Sequence, residues 1–325
     1  MYKYHNEVFA KEMVNNTDFG KVITAMVTPF FDDDNNTVDY SGMVKLANHL
    51  LQNGTDTLLL IGSTGEAAQL SIQEKQEIIK TVHQNTPKNT KIIVSTGDTN
   101  TKRVIEKSNR AFDIGADAVL ISVPEYIKPP QKDLYAHFSN VAKSVSNKPI
   151  FIYNIPSRTG TEILPDTIAR LAHNHSNIIG VKQSMLDLDK VSEISIKCPA
   201  DFQIYSGEDS LTLPMLSLGA RGVISVASHL VGEMIHQMIA NFNSNPMLSQ
   251  KYHQTLYPLF KSLFMTTNPI PIKQVLYDMN LISSPVLRTL GTMTKQDQEK
   301  LKNALKEFEF QKNKFLNAQH IKIHA

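Results

Sequence analysis

One lysine ends an otherwise apolar run, Ile178-Ile179-Gly180-Val181-Lys182. Such a run reads as a buried strand, and an amine at its end either snorkels out of a core or sits in a partly dry site. Desolvation disfavours the ammonium, and a neutral amine can attack a carbonyl to form a Schiff base. A lysine that works this way on a keto acid needs help. Backbone N–H groups in a glycine-flanked turn can clamp a carboxylate, and Ser63-Thr64 lies in such a turn. A tyrosine hydroxyl can pass protons in a dry site, which makes Tyr153 a candidate. An arginine fork can hold a second anionic group, and Arg158 follows shortly after that tyrosine. Each has a plainer alternative: a simple loop turn, a half-buried ring at a strand end, a solvated surface fork. Tyr126, between Pro124 and Pro129, is either a loop anchor or a subunit contact.

The elements around these residues alternate. Val22–Thr28 is β-branched and apolar and stops at Pro29, as a strand does. Asp39 then caps a helical pattern of Met43, Leu46, Ala47, Leu50 and Leu51, which Asn53-Gly54 ends. Further strands are expected at Thr57–Ile61, Lys91–Thr96, Ala118–Val123, Pro149–Tyr153, Ile178–Lys182, Phe202–Tyr205 and Gly222–Val226. Helices are expected between them, one opened by a Ser71/Glu74 capping box. Eight strand–helix units in about 220 residues fit a closed (β/α)8 TIM barrel, in which functional groups gather at the C-terminal ends of the strands. An open doubly wound sheet would need a Gly-rich turn after the first strand, where Thr28-Pro29-Phe30 stands. The expected organisation is an N-terminal extension over 1–20, the barrel over 21–245, and a C-terminal helical appendage with a tail over 246–325. Within the appendage, helices are expected at 250–265, 270–280 and 294–315.

Composition narrows the function. The chain has 325 residues, and 33 basic against 31 acidic residues leave a net charge of +2. That balance gives no basic field for nucleic acid or a membrane surface. Cys198 is the single cysteine, so neither an intrachain disulfide nor a cysteine metal cluster can form. No metal site is expected at His173/His175 or His229/His236. The first twenty residues lack the apolar stretch of a secretory signal, and a cytoplasmic location is the default expectation.

Four segments carry a family resemblance: Gly62-Ser63-Thr64-Gly65-Glu66, Tyr153-Asn154-Ile155-Pro156-Ser157-Arg158-Thr159-Gly160, Gly180-Val181-Lys182 and Gly222-Val223-Ile224-Ser225-Val226. With Thr24–Phe30 and Asn268–Lys273, they resemble the dihydrodipicolinate synthase family over about residues 21 to 315. The first motif is shared across the wider pyruvate-lysine aldolase superfamily, whereas the Arg158 segment is more selective. The resemblance implies that Lys182 forms a Schiff base with pyruvate and that the enamine adds to aspartate semialdehyde. It also implies that Tyr153 is the proton donor and acceptor and that Ser63 and Tyr126 relay the proton, with Tyr126 reaching from a neighbouring subunit. Thr64 and Ile224 would hold pyruvate and Arg158 the semialdehyde carboxylate. It implies no cofactor, and a homotetramer or homodimer.

Three departures qualify this. Serine stands at Ser63 where the family usually has threonine. Gln183-Ser184-Met185-Leu186 replaces an acidic residue followed by small ones, which leaves open a sugar-derived 2-keto acid as substrate of another superfamily lyase or dehydratase. A non-catalytic paralogue is the third reading, and the intact Lys182, Tyr153 and hydroxyl pair argue against it. Glu125 stands where tyrosine is common. In lysine-inhibited relatives the effector site uses positions matching Ala67, Ala68, Ile72, Lys75, Thr99, Arg103 and Glu125. Arg103 reverses a charge there, so weak or absent lysine feedback is expected.

Overall fold

The computed structural model describes residues 17–145 and 147–323. Eight parallel strands close into a barrel in chain order: β1 Val22–Ala25, β2 Thr57–Leu60, β3 Lys91–Ser95, β4 Ala118–Ser122, β5 Ile150–Asn154, β6 Ile178–Gln183, β7 Gln203–Ser206 and β8 Gly222–Ser225. Val22 pairs with Val223 to complete the ring. The barrel expected from the sequence is therefore present; the first strand ends three residues early, at Ala25, and the other limits shift by at most one residue.

Alternation along each strand sorts the side chains into two layers. Ile23, Leu59, Ile93, Leu120, Phe151, Tyr205 and Ile224 fill the lumen. Val22, Leu58, Ile92, Val119, Ile152 and Val181 face the surrounding helices. Gly180 has no side chain for a steric reason: a Cβ there would lie 2.7 Å from the Phe151 ring. The floor is closed by Phe19, which is buried and meets Phe151 edge-on at 5.3 Å. Tyr205 donates its hydroxyl to Gly20 O at 2.6 Å. The last residues of the expected extension thus belong to the barrel floor; residues 1–16 lie outside the described part.

The helices begin where their caps are written. Asp39 accepts from Gly42 N at the start of Tyr40–Gln52, and Ser71 with Glu74 forms both halves of a capping box. Asn100 caps Thr101–Asp113. The segment after β7 is short, a 3-10 turn Asp209–Leu211 followed by Thr212–Leu216, and a single helical turn, Pro156–Thr159, follows β5. Beyond the barrel helix Ser228–Ala240 come Pro246–Ser262, Ile270–Asp278 and Lys295–Ile323. The last helix continues past the expected end near 315. None of the described helices is long and apolar enough to cross a membrane.

Candidate active site

Strand register brings the lysine and tyrosine together. Tyr153 on β5 and Lys182 on β6 are direct partners. Both point into the lumen, and Lys182 Nζ lies 4.4 Å from the centre of the Tyr153 ring. Lys182 is 6 % exposed and Tyr153 8 %. The amine is therefore held above an apolar floor, at the C-terminal end of its strand, against a phenol.

The turn after β2 forms the next wall. Ile61 and Glu66 both adopt left-handed backbone, with φ of 59° and 56°. A β-branched residue rarely takes that conformation, and such outliers persist where surrounding structure enforces them. Here Ala67 N donates to Gly62 O, Glu66 N donates to Ser63 O, and Thr28 Oγ1 donates to Gly65 O. The N–H groups of Ser63 and Thr64 make no hydrogen bond among the described residues. They are free to receive an anion. Thr64 is buried, and its Oγ1 accepts from Asn268 Nδ2 at 2.9 Å.

That turn is clasped from the C-terminal appendage. Lys273 is completely buried; its Nζ donates to Glu66 Oε1 at 2.6 Å and to Val286 O at 2.8 Å, over the Phe30 ring. Burial pulls its amine down to about 8, against the opposing pull of Glu66. Arg288 N donates to Glu66 Oε2, and the Arg288 guanidinium pairs with Glu74. The Glu74 carboxyl is lowered to about 2, first by the hydrogen bond from Arg288.

A cavity of about 510 Å³ opens beside Tyr153, bordered also by Ser63 and Arg158. All seven positions matched to the effector site, from Ala67 to Glu125, line the same cavity. Arg103 and Lys107 both grip Asp98, at 2.7 and 2.6 Å. Burial would raise the Asp98 carboxyl, but those two hydrogen bonds outweigh it and hold it well below the usual carboxylate range. Lys75 and Arg110 add two further cations to the lining. Burial, and then Lys107, lowers the Lys75 amine.

Other expected residues divide. Ile224 stands in the lumen on β8. Arg158 sits exposed on the turn Pro156–Thr159. Tyr126 makes no hydrogen bond to Lys182 or Tyr153 among the described residues: it is 89 % exposed, with φ of 69°, and its N–H donates to Thr159 O beside Arg158. Gln183 does not border the lysine. It is fully buried in the outer layer, where its Oε1 accepts from Asn154 Nδ2 at 3.1 Å. The carboxylate expected there would also face away from the lumen. His229 is a core residue, accepting from Val27 N and bonded to Val226 O, and burial lowers it to about 4. Burial pushes the Cys198 thiol up to about 12, which keeps it an unreactive thiol at neutral pH.

The sequence alone assigns no role to the acidic pair after β7. Asp209 is wholly buried, and its Oδ2 accepts from Val226 N at 3.1 Å and Ala227 N at 2.9 Å, fixing the chain just beyond Ile224. Burial raises the carboxyls of both Glu208 and Asp209, with Lys182 opposing. The signal was present: an acidic pair directly after a barrel strand. Asn268 and Lys273 likewise have no role that the sequence alone assigns.

Comparison with known proteins agrees with this geometry. The model of the dihydrodipicolinate synthetase family matches residues 18–308. The chain is 45 % identical over 291 residues, 88 % of this chain and 96 % of the other, to the 4-hydroxy-tetrahydrodipicolinate synthase of Prochlorococcus marinus strain MIT 9301. It is 48 % identical over 261 residues, 80 % of this chain and 88 % of the other, to that of Cyanothece sp. strain PCC 7425. Its fold is similar to the crystal structure of DHDPS from Cyanidioschyzon merolae with lysine bound, with a TM-score of 0.87 and 37 % identity, covering 90 % of this chain and 98 % of that one. A match of this extent, on a barrel whose rim carries the motif lysine, tyrosine and glycine-flanked turn, means that the chain belongs to the dihydrodipicolinate synthetase family.

Proposed function

We propose that this protein condenses pyruvate with L-aspartate 4-semialdehyde, as a 4-hydroxy-tetrahydrodipicolinate synthase in the diaminopimelate route to lysine. The observation that carries this reading is the buried Lys182 amine 4.4 Å from the Tyr153 ring, beside a turn with free N–H groups. Lys182 attacks the keto carbon of pyruvate, and loss of water leaves a Schiff base. The N–H groups of Ser63 and Thr64 hold the pyruvate carboxylate, with the Thr64 hydroxyl and the Ile224 main chain beside it. Removal of a methyl proton gives the enamine, whose carbon bonds to the aldehyde carbon of the semialdehyde. Tyr153 supplies the proton that the new oxygen gains. The semialdehyde's own amine then displaces Lys182 from the imine carbon, closing the ring and freeing the lysine. Arg158 holds the second carboxylate.

Ser63 and Tyr126 relay protons to Tyr153. The exposure of Tyr126 supports a role in a neighbouring copy's site, within a homotetramer or homodimer. A cytoplasmic location completes the reading. Lysine feedback is weak or absent, because Arg103 adds a cation to the lining of the pocket that a lysine ammonium would enter. Half-inhibition of the purified enzyme by sub-millimolar lysine would overturn that part.

The test of the chemistry is borohydride reduction with pyruvate, read by mass spectrometry. A pyruvate adduct on Lys182, absent in Lys182→Ala, is the expected result; a chain that traps nothing sinks the reading. Turnover with aspartate semialdehyde then fixes the acceptor.

A further inference from the structure

The four residues after Lys182 face different ways. Gln183 turns outward, and its Nε2 donates to Met185 Sδ at 2.6 Å. Leu186 is 81 % exposed. Ser184 shares the lysine's face of the strand, as the period of two requires. Its hydroxyl is buried and has no hydrogen-bond partner among the described residues.

Gly207, at the end of β7, locates that hydroxyl. A Cβ on Gly207 would stand 1.8 Å from Ser184 Oγ and 3.0 Å from Lys182 Cε. Both atoms therefore border one point beside the glycine backbone, and only glycine leaves room for them. Two backbone hydrogen bonds fix the arrangement: Ser184 N donates to Asn154 O at 2.9 Å, and Gly207 N donates to Gln183 O at 2.8 Å. The hydroxyl flanks the stem of Lys182 on the β7 side, while Tyr153 flanks its amine on the β5 side.

A buried hydroxyl without a partner is a cost to the folded chain, and its presence asks for an explanation. A bound molecule explains it. The lumen below the lysine is filled by Phe19, Phe151 and Tyr205, so a second substrate must approach from the rim. Ser184 lies two residues further toward the rim than Lys182. We propose that Ser184 Oγ contacts the acceptor substrate and donates a hydrogen bond to its aldehyde oxygen. This rests on the function proposed above. As the enamine carbon bonds to the aldehyde carbon, the carbonyl electron pair moves onto that oxygen. Tyr153 delivers the proton that neutralises it, and Ser184 keeps its own proton while stabilising the charge. The residue thus favours acceptors that present an oxygen at the carbon under attack.

The test uses Ser184→Ala in the full chain, with each substrate varied in turn. Loss of one hydrogen bond to a developing charge predicts about a tenfold fall in kcat/KM for the acceptor. Pyruvate trapping on Lys182 keeps its wild-type rate, and the thermal midpoint does not fall, because no protein partner is lost. Unchanged acceptor kinetics overturn the proposal alone. Slower pyruvate trapping with unchanged acceptor dependence also overturns it, assigning the hydroxyl to Schiff-base formation. A lowered thermal midpoint would make the hydroxyl structural and overturn it too. A wild-type chain that traps no pyruvate overturns the underlying function as well.

Discussion

Lys182 draws its chemistry from what stands beside it. The cross-strand register sets the phenol against the amine, and on the proposed mechanism a proton passes between substrate and Tyr153. Tyr153→Phe keeps the ring and removes only the hydroxyl. Its turnover is expected to fall by about 10²- to 10⁴-fold, the usual worth of a positioned acid–base group. Adduct formation with pyruvate persists, because the nucleophile and the carboxylate clamp are untouched. Steady-state rates and mass spectrometry of the reduced adduct check both halves, and a variant with wild-type turnover would assign the proton to another group. Lys182, Tyr153, Ser63 and Arg158 were legible in the sequence because each is a polar residue at or just past the end of an apolar strand. Ser184 was legible as a departure, and period-two alternation fixed its side of the strand. The room its hydroxyl occupies depends on Gly207, more than twenty residues away, which no local pattern reveals.

Whole elements were legible for the same reason, since Ile, Val and Leu runs alternate with capped helical patterns. The short turn Pro156–Thr159 carries no such period, and neither does the way the appendage grips the β2 turn. Glu66 and Lys273 are 207 positions apart, and only the closed fold joins them. Replacing one partner of a fully buried ion pair strands the other charge, at a cost of about 3–5 kcal/mol. Lys273→Met is therefore expected to lower unfolding stability by that order, read from urea transitions. Glu66 also anchors the turn that bears Thr64, so the pyruvate KM rises in the same variant. A destabilised variant with an unchanged KM would show that the clasp stabilises the fold without shaping the clamp.

At the scale of the molecule, one chain supplies nearly all of the proposed site, and Tyr126 stands exposed on its surface. If Tyr126 serves a neighbour, Lys182→Ala and Tyr126→Ala chains are each poor enzymes for different reasons. Unfolded together and refolded, they form mixed assemblies in which an intact lysine meets an intact tyrosine. Recovered activity well above that of either variant alone is the expected result, and none would confine each site to its own chain. The cations around the cavity, Lys75, Arg110 and Arg158 among them, suit two substrates that both arrive as anions.

The clasp of Lys273 on Glu66 also sets an order of events during synthesis. Glu66 leaves the ribosome early, and Lys273 follows only after all eight strands have been made. Until then the Glu66 carboxylate has no buried cation beside it and stays hydrated. The turn proposed to clamp pyruvate is therefore completed by the last quarter of the chain. On the proposed function, competence to hold pyruvate then arrives with the arm that seals the turn.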